Sequence, residues 1–250
     1  MDIISTPNLP KSTVSLVAIG ERYFDVLKKP LNDLGSEIFL LNDSKILPKA
    51  VCSHADMLIC HLGHEIILSK EVFFDGKSKD QLHSLGFKVF EASKKTKKDY
   101  PGDINLNVLY TGNVLCHNLN YTDPKITEIL KERDIKNVNV KQGYTKCSVA
   151  VISHNALITD DARIYAALNE HFDVLLIEKG DITLENYNYG FIGGCCGLID
   201  RDKIAFTGRY DKLKNKKQID LFLEKHNVTP VFLTSCDIFD IGSMIPLMQY

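Results

Sequence analysis

Thiols, imidazoles and carboxylates are the groups in this sequence able to make and break covalent bonds, and they are dispersed along the chain. Seven cysteines stand at positions 52, 60, 116, 147, 195, 196 and 236. An odd number at irregular spacing, in a chain with no basic segment followed by an apolar one at its start, reads as reduced cytoplasmic thiols. A thiol beside an imidazole can act as a nucleophile with its own base, and paired carboxylates can hold a cation. The residues with that potential are His54, Asp56, Asp103, Lys146, Cys147 and the adjacent pair Cys195-Cys196. Cys60-His61-x-x-His64 and Cys52-x-His54 superficially offer zinc ligands. His61 and His64 fall in a predicted hairpin turn, where alternating side chains need not converge, and no second cluster has ligand spacing, so no metal is expected. No phosphate loop is present and no Gly-x-Gly-x-x-Gly opens a helix, so no cofactor is expected either. Gly190-x-x-Gly193-Gly194 leads into a strand, not a helix start. Cys52, Cys60, Cys116 and Cys236 read as core fillers, because free cysteine packs as a small hydrophobe.

The elements that must position these groups come from a chain of 250 residues, 44% hydrophobic, with a net charge of −2. That length and composition support one sizeable core, read as a single domain over 1–250. Acids and bases are interspersed, which argues against nucleic acid as partner, since phosphate binding needs clustered positive charge. The one basic run, Lys94-Lys95-Thr96-Lys97-Lys98, lies between apolar segments and reads as a solvated linker. The apolar runs are too short to span a bilayer, so no membrane partner is expected.

An internal repeat organises the chain. The clearest copy runs from Cys147: a strand over 148–152, a turn at Ser153-His154-Asn155, and a return strand Ala156–Thr159. Asp160 or Asp161 then caps a helix carrying Ile164, Ala167 and Leu168, and a strand over 173–177 closes the unit. A second copy begins near Cys196, with strands over 197–199, 203–207 and 230–233 and a helix around Ile219 to Leu223. Earlier copies place strands at 57–60, 65–68 and 87–90 with a helix over 81–85, and strands at 107–110, 114–116 and 138–140 with a helix over 125–132. The starts of these units are spaced by roughly 45 residues. The first unit has a strand over 14–19, a helix over 23–34 and a strand over 37–41, and a terminal strand over 243–247 would complete it. A doubly wound sheet does not call for a hairpin before each helix, and a linear solenoid needs polar caps that neither terminus supplies.

A ββαβ unit of this length, about five times over, resembles the pentein superfamily, which includes arginine and agmatine deiminases, dimethylarginine dimethylaminohydrolases, amidinotransferases and a non-enzymatic ribosome-associated factor. The likeness is strongest to an uncharacterised bacterial branch, in Gln142-Gly143-Tyr144-Thr145-Lys146-Cys147-Ser148, Gly190-Phe191-Ile192-Gly193-Gly194 and Asp240-Ile241-Gly242-Ser243-Met244-Ile245-Pro246-Leu247. The resemblance implies a five-bladed α/β propeller with pseudo-fivefold symmetry, and chemistry on a guanidino or amidino small molecule through a cysteine nucleophile, a histidine and carboxylates. The superfamily's cysteine position near the C-terminus falls here on Gly242 or, with a shifted alignment, Pro246, and the His-x-Asp element is found in a different blade, as His54-Ala55-Asp56. Pro101-Gly102-Asp103 matches an acidic Gly-Asp lead-in. In a ring, the unit starts meet at one mouth of the axis. Cys147 or Cys195 is then the nucleophile, His54 the proton shuttle, and Asp56, Asp103 and Lys146 bind substrate. The alternative is a non-catalytic pentein that binds a small ligand or a macromolecular partner.

Overall fold

The protein, described over residues 1–250 by a computed structural model, is a ring of five small sheets. Four of them have three strands, and each repeats one order: an antiparallel hairpin, then a helical crossover to a parallel third strand. The ring starts with β1 (Asp2–Ile3), β2 (Val14–Gly20), α1 (Phe24–Asp33) and β3 (Glu37–Leu41). The second unit holds α2 (Ala55–Leu58), β4 (Ile59–His61), β5 (Glu65–Leu68), α3 (Lys70–Phe74), α4 (Lys77–Ser84) and β6 (Lys88–Glu91). The third contains β7 (Leu109–Tyr110), β8 (Val114–His117), α5 (Pro124–Leu130) and β9 (Lys136–Asn139). The fourth has β10 (Val149–Ser153), β11 (Ala156–Thr159), α6 (Ala162–Leu168) and β12 (Asp173–Leu176). The fifth is β13 (Cys196–Asp200), β14 (Lys203–Phe206), α7 (Lys216–Lys225) and β15 (Thr229–Phe232), after which β16 (Ile245–Gln249) returns to the first sheet.

That return closes the ring. β16 lies antiparallel between β1 and β2, so the first sheet borrows its missing hairpin strand from the other end of the chain. Pro246 carries no N–H for the ladder, and the pairing with β2 slips between Pro246 and Met248, where a bulge accommodates it.

The apolar core is divided among the seams between neighbouring blades. One cluster joins the first and second units through Leu16, Phe39, Leu58 and Leu68. Others join the second to the third through Cys60, Ile67 and Leu115, the third to the fourth through Leu109 and Leu157, and the fourth to the fifth through Ile158 and Phe206. The last seam packs Val17, Leu27 and Leu31 against Ile199, Ala205 and Leu233. The inner strands, such as β2, β8 and β11, are buried on both faces and read as continuous apolar runs, whereas the outer strands β6, β9 and β12 are partly exposed.

Three local expectations are corrected. The segment over 57–60 is not all strand: Ala55–Leu58 forms a helical turn, every residue of it buried, before β4 begins. That turn brings the Asp56 N–H onto the Gly242 carbonyl at 3.0 Å. The helix placed over 81–85 starts at Lys77, behind a separate turn capped by the Ser69 hydroxyl. Cys236 is exposed rather than a core filler, whereas Cys52, Cys60 and Cys116 are buried as expected. Asp161, not Asp160, caps α6, accepting from Arg163 N and Ile164 N. No helix is long and apolar enough to cross a membrane.

Candidate active site

The segments that lead into the five blades meet at one end of the ring axis. Residues 54–57 come from the second unit, Asn107 from the third, 144–147 from the fourth, 190–195 from the fifth, and 240–243 from the turn before β16. The backbones approach so closely that side chains would block them. A Cβ on Gly242 would stand 2.2 Å from the His54 Cβ, and one on Gly194 would stand 2.0 Å from Asp240 Oδ1. Gly242 also has a φ of +71°, a conformation that glycine adopts at no steric cost.

Cys147 sits at the centre. Its Sγ lies 3.0 Å from Asp56 Oδ2, to which the thiol donates, and it accepts from Asn107 Nδ2 at 3.0 Å. Asn107 Oδ1 accepts from the backbone N–H groups of Lys146 and Cys147, at 3.0 and 3.2 Å, and so fixes this turn. Burial pushes the thiol well above its ordinary range, and the nearby carboxylates of Asp56 and Asp240 push it further. Asp56 is also raised by burial, against the lowering effects of His54 and Lys146 and of hydrogen bonds from Cys147 and Ser243.

His54, 2% exposed, is the residue before α2. Burial lowers its ring to about 4, so the imidazole is neutral at physiological pH. Its Nε2 is buried with no hydrogen-bond partner, and its Nδ1 lies 3.9 Å from Asp240 Oδ1, beyond hydrogen-bond reach. The donor atoms of His54, Asp56 and Cys147 lie within 4.8 Å of one another, so this trio is where a metal ion would find nitrogen, oxygen and sulfur ligands together.

His54 and Cys147 floor a cavity of about 270 Å³. Tyr144, Tyr187, Tyr189 and Phe191 wall it with Val51, Met57 and Leu184, and His54, Cys147 and Asp240 form its polar end. The Asp240 carboxylate is held by the N–H groups of Phe191 at 2.8 Å and Gly242 at 2.9 Å. Burial raises it to about 6, against those two bonds.

The remaining sequence-derived candidates are placed differently. Asp56 touches Cys147 but lies one layer beneath the cavity lining, and with Lys146 it faces a small void beside His61 and Tyr110. Lys146 Nζ donates to Ser243 Oγ at 3.0 Å, and that hydroxyl lies 2.7 Å from Asp56 Oδ2, so Lys146 braces Asp56 instead of meeting a ligand in the cavity. Asp103 accepts from the Tyr144 hydroxyl at 2.6 Å and steadies the wall from behind. Cys195 is fully buried in the seam between the fourth and fifth blades, its Sγ against the Phe191 carbonyl at 3.0 Å, away from the cavity. Cys196 is buried in the same seam, its thiol pushed up to about 12 by burial. The structure therefore brings together His54, Asp56 and Cys147, and adds Asp240 and Asn107, which sequence reasoning missed. Asp240 stood in a segment noted for its likeness to other chains, and that was the available signal.

The family of unknown function DUF6873 matches residues 18–245. The chain belongs to that family. No curated protein matches it in sequence. Solved structures similar to this DUF6873 chain include a dimethylarginine dimethylaminohydrolase, at 9% identity and a TM-score of 0.59, covering 94% of this chain and 100% of that one. An agmatine deiminase of C. jejuni aligns at 12% identity and a TM-score of 0.54, covering 91% and 89%. The product-bound N-terminal domain of ArgZ, an arginine dihydrolase of cyanobacteria, aligns at 12% identity and a TM-score of 0.56, covering 87% and 89%. The DUF6873 chain has the pentein fold, and at these identities the likeness speaks for the fold alone.

Proposed function

We propose that this chain acts on a guanidinium or amidinium small molecule, moving its amidino group to Cys147 and then to water or an amine acceptor. The observation that carries the reading is one thiol at the floor of an aromatic-walled cavity, in contact with Asp56 and flanked by His54 and Asp240. That arrangement provides a nucleophile, a neutral base with a free nitrogen, and one carboxylate in the lining, Asp240, to hold a planar cation.

The physics of the site ties activation to binding. Burial and the negative charge of two nearby carboxylates keep the proton on Cys147. A cation that donates hydrogen bonds to Asp240 above Cys147 offsets that negative charge, and the thiol proton passes to His54 Nε2. The thiolate then attacks the amidino carbon, forming a C–S bond while a C=N electron pair moves onto nitrogen. Collapse of this adduct breaks a C–N bond, and the departing nitrogen takes the proton from His54. In the second half His54 removes a proton from water, oxygen bonds to the same carbon, and the C–S bond breaks with return of the proton to sulfur. Guanidine chemistry in the similarly folded deiminase and dihydrolase supports the choice of substrate class.

The test is turnover of a guanidine panel, read as release of ammonia or amine, with intact-protein mass spectrometry for an amidino adduct on Cys147. Cys147→Ser is expected to lower turnover by on the order of a thousandfold or more while the protein stays folded. If no guanidine is turned over and no adduct forms at any substrate concentration, the catalytic reading fails and a binding protein remains.

A further inference from the structure

We propose that the cavity selects a carboxylate-free cation with an apolar or aromatic arm, such as an N-aralkyl guanidinium, over a guanidino amino acid. The inference rests on the guanidinium reading above and concerns the rest of the ligand.

The first observation is charge. The cavity lining contains one carboxylate, Asp240, and no lysine or arginine. Its histidine, His54, is 2% exposed and its Nε2 has no hydrogen-bond partner. Three basic residues near the cavity, Lys146, Arg22 and Lys179, already have partners. Lys146 is turned to Ser243 on the other side of the axis. The Arg22 guanidinium meets Cys52 Sγ at 3.1 Å and lies 3.9 Å from Asp43 and 4.0 Å from Glu185. Lys179 lies 3.5 Å from Asp161 and places its Nζ 5.7 Å from the Tyr189 ring centroid. A carboxylate carried in on a ligand would lose its water without gaining an unpaired cation, and would face Asp240.

The second observation is the wall. Tyr144 and Phe191 stand 6.1 Å apart between ring centroids at 34°, and Tyr189 meets Phe191 edge-on at 6.0 Å. Tyr187 adds a fourth ring, 51% exposed and outside those ring pairs. An exposed ring beside a cavity gains most from a ligand that covers it, and aromatic faces suit both a flat cation and an apolar arm.

The experiment is calorimetric titration of the Cys147→Ser protein with 2-phenylethylguanidinium, 2-phenylethylammonium, methylguanidinium and arginine. Phenylethylguanidinium is expected to bind at least about tenfold more tightly than arginine. Tyr187→Ala in the same background is expected to weaken phenylethylguanidinium by about fivefold and methylguanidinium by less than about twofold. Arginine binding as well as or better than phenylethylguanidinium overturns the inference while leaving the guanidine reading intact. Equal weakening of both guanidinium ligands by Tyr187→Ala also overturns it. If phenylethylammonium matches phenylethylguanidinium, the apolar-arm selection stands and the guanidinium head group of the proposed function fails. No binding by any of the four overturns both.

Discussion

At the scale of single residues, protons decide what the site does. Burial holds the Cys147 thiol protonated, and the two carboxylates beside it add to the effect. Five of the other six cysteines are buried. Native-state titration with a thiol reagent is therefore expected to find one fast cysteine, the exposed Cys236. A bound guanidinium should then make Cys147 react faster rather than protect it, measured by mass-mapped alkylation with and without the cation. Slower alkylation on adding the cation contradicts substrate-coupled activation. His54 and Asp240 pull stability in opposite directions with pH. Folded His54 titrates near 4 against 6.5 in the unfolded chain, so between these values the unfolded chain binds more protons and stability rises with pH. Folded Asp240 titrates near 6 against 3.8, so its contribution falls as pH rises through that window. In His54→Gln the rising part is removed. Its stability deficit against wild type should shrink as pH drops from 6.5 toward 4, by at most about 1.4 kcal/mol per pH unit. Denaturant melts across that range check it, and parallel curves would show that His54 does not titrate as described.

At the scale of elements, the blades depend on caps that also join neighbouring segments. Asp123, fully buried, precedes α5 and accepts from Lys125 N at 2.9 Å. The same carboxylate accepts from Ser93 N at 3.0 Å and Lys94 N at 2.7 Å, tying the chain after β6 to the third blade. Asp123→Ala would remove the partner of three N–H groups at once, those of half-buried Lys94 and Lys125 and of exposed Ser93. The expected loss is about 2 kcal/mol or more, above that of an ordinary cap, measured by chemical unfolding. Local patterns of this kind were readable in the chain. Alternating or continuous β-branched runs located β5 and β11 at 65–68 and 156–159, and capping chemistry pointed to Asp160 or Asp161 for α6. The turn over Ala55–Leu58 was not readable. Its apolar residues suit a strand equally well, and what bends it is the contact with the Gly242 carbonyl from the far end of the chain.

At the scale of the whole molecule, the two termini hold the ring shut. Leu247 on β16 is fully buried in the seam between the first and second blades. Leu247→Ala is expected to cost about 3 kcal/mol and to lower the single unfolding transition of the whole ring, not that of one blade. A separate early transition for the first blade alone would show that closure is not cooperative. The sequence by itself determined the repeating hairpin–helix–strand unit, the number of blades and the closing strand, because those follow from hydrophobic period and turn chemistry over short stretches. It also brought His54, Asp56 and Cys147 into consideration, as groups standing where units begin. Only the tertiary structure put Cys147 at the cavity and Cys195 in a seam, turned Lys146 away from the cavity, and added Asp240, Asn107 and the tyrosine wall. The reason is geometric: which way a side chain points at the axis depends on how five separate segments crowd there, and no single stretch of sequence carries that information.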